Sequence, residues 1–132
     1  MSREIVVVED DPGMRDALRK LLAAAGLHAA AFASPEELLA SGAAADAGCL
    51  IFDVRLPQAS GPELYRRLKR MGIHPPVIFM TAFDDPAPRA DAERLGAAGY
   101  LVKPFGGREL VDAVVAALGG SCRPATESGA IK

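Results

Sequence analysis

Four apolar runs of strand length, each closed by a chemically active residue, constrain this chain more than any other feature. They are IVVVED (5–10), CLIFDV (49–54), PVIFMT (76–81) and GYLVKP (99–104). The first opens with four β-branched apolar residues in a row, as a strand covered on both faces requires. Segments of helical period stand between the runs. Met14, Ala17, Leu18, Leu21, Leu22 and Ala25 recur at i, i+3, i+4 and i+7, and Gly26 follows as a C-terminal cap. A weak strand at 28–32 precedes Ser34-Pro35-Glu36-Glu37, a helix start with Ser as cap, Pro at the first position and acids in the first turn. A third helix opens at Pro62 behind Ser60 or Gly61, places Leu64, Leu68 and Met71 on one face, and stops at Gly72. A fourth begins near Pro86 or Pro88, ends at Gly96, and carries few large apolar residues, which makes it a candidate for movement. The last, 107–118, shows Leu110, Val111, Val114, Val115 and Leu118. Strand and helix thus alternate five times, the pattern of βα units on a parallel sheet and of the α/β class.

In such a sheet, ligands bind in the crevice outside the C-terminal strand ends. Glu9, Asp10, Asp53, Thr81 and Lys103 all fall there. Three carboxylates in one crevice repel one another unless a cation is present. Mg²⁺ suits them, because it takes one or two carboxylates, keeps several waters and leaves room for phosphate oxygens. A carboxylate oxygen can attack phosphorus and hold the group as an acyl phosphate. Catalysis of that transfer is mostly positioning and electrostatics, for which Lys103 offers a charge and Thr81 a hydroxyl. Taken singly, each residue has a plainer reading: acids at strand ends are solvated, a terminal Thr is structural, a lone Lys faces water. The combination favours a phosphoryl site, and Pro104 restricts the backbone of Lys103.

The 132 residues suit one domain, and the net charge of −2 offers no footprint for nucleic acid. The densest basic run, RRLKR (66–70), falls on a helix and reads as its solvated face. Cys49 enters an apolar strand as a small buried hydrophobe, and with Cys122 the only other cysteine there is no disulfide framework. No apolar stretch reaches the roughly 18 residues of a membrane span, and the N-terminus does not read as a signal peptide. A cytoplasmic, reduced protein without membrane contact is the expectation. From Gly119 the chain reads GGSCRPATESGAIK, so 1–118 is expected to form the domain and 119–132 a flexible tail or interdomain linker.

VVVEDDPGMR, LIFDVRLPQASGPEL, VIFMTA and GYLVKPF, in order over residues 4–118, resemble the receiver domain of bacterial two-component response regulators. Residues 80–105 are similar to CheY-like receivers joined to LuxR-type transcription factors. The resemblance implies a flavodoxin-like (βα)5 doubly wound sheet with strand order 2-1-3-4-5. It makes Asp53 the phosphoacceptor for a histidine kinase or phosphotransfer protein. Asp10, Asp53 and the backbone carbonyl of Arg55 would ligate Mg²⁺, with Glu9 acting through water. Lys103 would bridge to phosphate, with the Lys103–Pro104 bond cis. Thr81 and Tyr100 would be the switch pair, the ring outward before phosphorylation and inward after it. The face of helix four, strand five and helix five would then control an output or partner, including a phosphorylation-dependent homodimer. The chain would be a signalling module rather than an enzyme, limited to its own phosphotransfer and slow dephosphorylation.

Several positions depart from the family pattern. Glu9 stands where Asp is commoner, and Leu56 and Gln58 replace Met and Gly in the loop after the acceptor. Phe83 would flank the phosphate entrance and slow the attack of water. Other classes fit less well. An Asp-based phosphatase wants a second acid two residues after its nucleophile, where this chain has Arg55. A flavin-type binder wants a Gly- or Ser/Thr-rich loop after the first strand, where EDDPGMR repels an anion. A degenerate receiver acting only as a protein-interaction module is the remaining alternative.

Overall fold

The computed structural model describes residues 4–56, 59–82 and 86–120. Gln58, Phe83 and residues 121–132 of the expected tail, Cys122 among them, lie outside the described residues. In chain order the elements are β1 (Glu4–Val8), α1 (Pro12–Ala24), β2 (Ala29–Phe32), α2 (Pro35–Ser41), a 3₁₀ turn (Ala43–Asp46) and β3 (Ala47–Asp53). There follow β4 (Arg55–Leu56), β5 (Ala59–Ser60), α3 (Gly61–Arg70), β6 (Val77–Thr81), α4 (Pro86–Arg94), β7 (Gly99–Val102) and α5 (Gly107–Gly120).

Five strands pair in the order β2-β1-β3-β6-β7, every pair parallel. Counting only these long strands, that is the order 2-1-3-4-5. The remaining two form a short antiparallel ribbon, Arg55 opposite Ser60 and Leu56 opposite Ala59, where the sequence suggested a plain loop.

Alternation along the strands builds a core on each face, which is why the strands read as unbroken apolar runs. Val6, Val8, Leu50, Phe52, Val77 and Phe79 meet Leu38 of α2, Leu64, Tyr65 and Leu68 of α3, and Ala92 of α4. Ile5, Val7, Cys49, Ile51, Ile78 and Met80 meet Leu18 and Leu22 of α1 and Leu110, Val114 and Ala117 of α5. With helices on both faces, the molecule is a doubly wound, flavodoxin-like α/β domain.

The helix starts follow their capping chemistry. Ser34 accepts from the amide of Glu37, with Pro35 at the first position of α2. Ser60 and Glu63 complete a reciprocal capping box at α3. Two apolar residues do not pack as their spacing suggested. Met71 is 57% exposed because it is already the C-cap of α3, beyond the buried face. Val115 is 52% exposed because Leu110 and Val114, four residues apart, point inward and leave the next position turned away. In α4 just Ala92 is buried, in line with its poor apolar content.

Candidate functional site

Among the described residues, the buried polar or charged ones are Glu9, Asp53 and Thr81, and all three lie at C-terminal strand ends. An interior of this kind tolerates such groups only when they are partnered.

Glu9 follows β1 and is anchored by its own amide, which donates to the Phe32 carbonyl at 3.0 Å. Asp10 is exposed in the loop beyond it. The next acid serves the helix instead: Asp11 caps α1, its Oδ2 accepting from the Met14 amide at 3.1 Å. Arg15, one turn into α1, reaches back and donates to the carbonyls of Glu9 (3.1 Å) and Asp10 (3.2 Å). It holds the acidic loop in place, a role that side-chain type and spacing did not reveal.

Asp53 ends the central strand β3. Its Oδ1 accepts from the Arg55 amide at 2.9 Å, and Val54 donates to the Met80 carbonyl at 2.7 Å, tying the chain after β3 to β6. Lys103 directly follows β7, and the Lys103–Pro104 bond after it is cis, the isomer the resemblance implied. Its amide donates to the Thr81 carbonyl at 2.7 Å, so Lys103 and Thr81 are joined through their backbones. Its Nζ donates to Asp53 Oδ2 at 2.7 Å and to Glu9 Oε1 at 2.9 Å. Residues far apart in sequence are thereby gathered around one ammonium.

One ammonium does not balance two buried carboxylates. Burial first, and Asp53 beside it, raise the Glu9 carboxyl from 4.5 to about 7 against the lowering effect of Lys103. Burial works against the Lys103 ammonium too, but its bonds to Asp53 and Glu9 outweigh that and hold it above the usual lysine value. The excess negative charge, carried by oxygen donors only, suits a hard divalent cation. Among the described residues no three His, Cys, Asp or Glu side chains are grouped to hold a metal by themselves. A cation here would therefore lean on a backbone carbonyl and waters, the coordination that Mg²⁺ accepts.

Tyr100 pairs with Phe79 in register, while Thr81 pairs with Val102. Strand alternation therefore puts Tyr100 and Thr81 on the same face of the sheet. The Tyr100 ring is half-buried against the core of that face and its hydroxyl oxygen is covered. The Arg89 guanidinium of α4 lies over it, 4.5 Å from the ring centroid. A cavity of about 120 Å³ adjoins the ring, lined by Arg89, Ala92, Glu93, Ala97 and Gly99. The Arg89 contact crosses from helix to strand and leaves no local signature in the sequence.

Similarity to known proteins agrees with this geometry. The family model for the response regulator receiver domain matches residues 5–115. Nodulation protein W of Bradyrhizobium diazoefficiens is 44% identical over 113 residues, covering 86% of this chain and 50% of that protein. The transcriptional regulatory protein FixJ of Azorhizobium caulinodans is 37% identical over 129 residues, covering 98% of this chain and 61% of that one. The chain thus spans about half to three fifths of the length of these relatives. Among solved structures, a response regulator receiver protein from Pseudoalteromonas atlantica superposes with a TM-score of 0.82 at 30% identity, covering 90% of this chain and 99% of that one. The chain belongs to the response regulator receiver domain family.

Proposed function

We propose that this chain accepts a phosphoryl group on Asp53 from the phosphohistidine of a histidine kinase or phosphotransfer protein. The observation that carries the reading is the convergence of the buried Glu9, Asp53 and Thr81 with Lys103 at the strand ends. An Asp53 carboxylate oxygen attacks phosphorus; the new O–P bond forms as the N–P bond breaks, and the imidazole nitrogen keeps the electron pair. Lys103, already on Asp53 Oδ2, follows onto a phosphoryl oxygen, and the Thr81 hydroxyl donates to another. Asp10, Asp53 and the Arg55 carbonyl would hold Mg²⁺, with Glu9 behind a water. The ion supplies positive charge where the equatorial oxygens gain negative charge. Water later attacks the phosphorus and restores the carboxylate and inorganic phosphate.

The new charge of about −1.5 to −2 draws Thr81 toward it, and the Tyr100 ring, already under the Arg89 guanidinium, moves inward into the space Thr81 leaves. The face of α4, β7 and α5 then changes shape for a partner or a second copy of the chain. Residues 1–118 would be the receiver unit, with the helix α5 running on to Gly120, and the remainder of 119–132 a flexible tail or interdomain linker; the relative FixJ is named a transcriptional regulatory protein.

Intact-mass measurement after incubation with Mg²⁺ and acetyl phosphate tests the reading. One added, labile phosphate on the wild type and none on Asp53→Asn is the expected outcome. A folded, Mg²⁺-binding wild type that stays unlabelled with both acetyl phosphate and a phosphorylated kinase would sink it in favour of an interaction module.

A further inference from the structure

Gly61 opens α3 directly after β5, and its amide donates to the Val54 carbonyl at 2.9 Å. Its backbone does not lie in the left-handed region, so conformational freedom does not explain a glycine here. Space does. A Cβ at Gly61 would stand 2.5 Å from the Asp53 carbonyl oxygen, 3.2 Å from its carbonyl carbon and 3.2 Å from Cδ1 of Phe79. None of these neighbours gives way easily. The Asp53 carbonyl is backbone of the central strand, and Phe79 is wholly buried. The start of α3 is itself pinned by the Ser60–Glu63 capping box and by Pro62.

From this we infer that Gly61 is a positioning residue for Asp53: the missing side chain lets α3 press on the acceptor's own carbonyl and fixes where its carboxylate points. The inference rests on reading Asp53 as the acceptor. With a Cβ at 61, the carbonyl of Asp53 must tilt away. The carboxylate is carried by the same residue and held by the Arg55 amide two residues on, so it turns out of line with Lys103. Misplacement of a reacting group by about 1 Å costs rate out of proportion to stability.

The test compares the wild type with Gly61→Ala and with Gly72→Ala, at the other end of α3. Gly72 has φ +81 and nothing within 4 Å of its Cβ position, so its substitution strains the backbone without touching the site. Two readouts are taken: the rate of labelling by acetyl phosphate with Mg²⁺, and the NMR position of the Arg55 amide proton, which reports its bond to Asp53 Oδ1. Gly61→Ala is expected to stay folded, to label at least about tenfold more slowly and to shift the Arg55 amide upfield. Gly72→Ala is expected to lose stability yet label within about twofold of the wild type, with that amide unmoved.

Labelling of Gly61→Ala at the wild-type rate, or slow labelling with the Arg55 amide unmoved, overturns the inference. So does a Gly61→Ala protein that remains unfolded in the cold with a stabilising osmolyte, because the glycine then serves the fold as a whole. If the wild type labels with neither acetyl phosphate nor a phosphorylated kinase, the acceptor reading fails separately, and the amide shift alone decides whether Gly61 sets the Asp53 carboxylate.

Discussion

Glu9 is the residue whose chemistry depends most on its surroundings. Its carboxyl is raised to about 7 in the folded chain and returns toward 4.5 when unfolded. The protonated form is therefore favoured by folding. Its stabilisation is complete below about pH 4.5 and disappears as pH rises through about 7. Without divalent cations, wild type should lose roughly 1–3 kcal/mol relative to Glu9→Gln across that window, read from urea midpoints. Parallel curves for the two proteins would contradict it. The Lys103 ammonium, held above its usual value, stays charged throughout and adds no slope there. Mg²⁺ should bind more tightly as pH climbs through the same window, because it competes with the proton for the site. Cys49 is shifted in the same direction: burial pushes its thiol up to about 12, leaving almost no thiolate in the native state. We expect no modification of it by a thiol reagent at mildly alkaline pH until urea unfolds the chain. Fast native-state reaction at Cys49 would refute its burial.

Helices α3 and α4 differ sharply in how much they bury. Helix α3 buries Leu64, Tyr65 and Leu68 and carries a full capping box. Ser60→Ala should cost about 1 kcal/mol through the lost cap, measured by thermal or urea unfolding, without abolishing the fold. Helix α4 buries just Ala92 and is tied down mainly by surface pairs. Asp91 accepts from Arg94 at 2.6 Å and from Arg66 of α3 at 3.2 Å. Surface pairs of this kind contribute about 0–1 kcal/mol each. Its amides should therefore exchange hydrogen well before those of α3, and equal protection in the two helices would show that α4 is better anchored than its burial implies. A weakly held helix beside Tyr100 is what a switching face needs.

Both cores are built on the same five strands, so neither face has an independent hydrophobic interior. Phe52→Ala on one face and Ile51→Ala on the other should each shift a single urea transition, by roughly 2–5 kcal/mol. Two separate transitions in either variant would mean that the faces unfold apart. The alternation of strand and helix, the all-apolar runs and the turn residues were enough to read this architecture from the chain, because a parallel sheet buried on both faces leaves that pattern in every strand. The residues at the strand ends were equally legible, since chemistry and position coincide at Asp53, Thr81 and Lys103. What periodicity could not separate was the inward from the outward member of an apolar pair: Val114 is buried and Val115 half-exposed. Nor could it find Arg15 or Arg89, whose partners are a loop carbonyl and a ring brought near only by packing. Local pattern thus determined the five long strands and five helices, their order along the chain and the kinds of group at the strand ends, but not the short ribbon of β4 and β5. Tertiary structure alone decided that Glu9 and Asp53 share one lysine, that Asp11 caps a helix while Asp10 faces solvent, and that the start of α3 lies against the Asp53 carbonyl at Gly61. Those facts depend on distances between segments far apart in sequence, and side-chain periodicity carries no information about such distances.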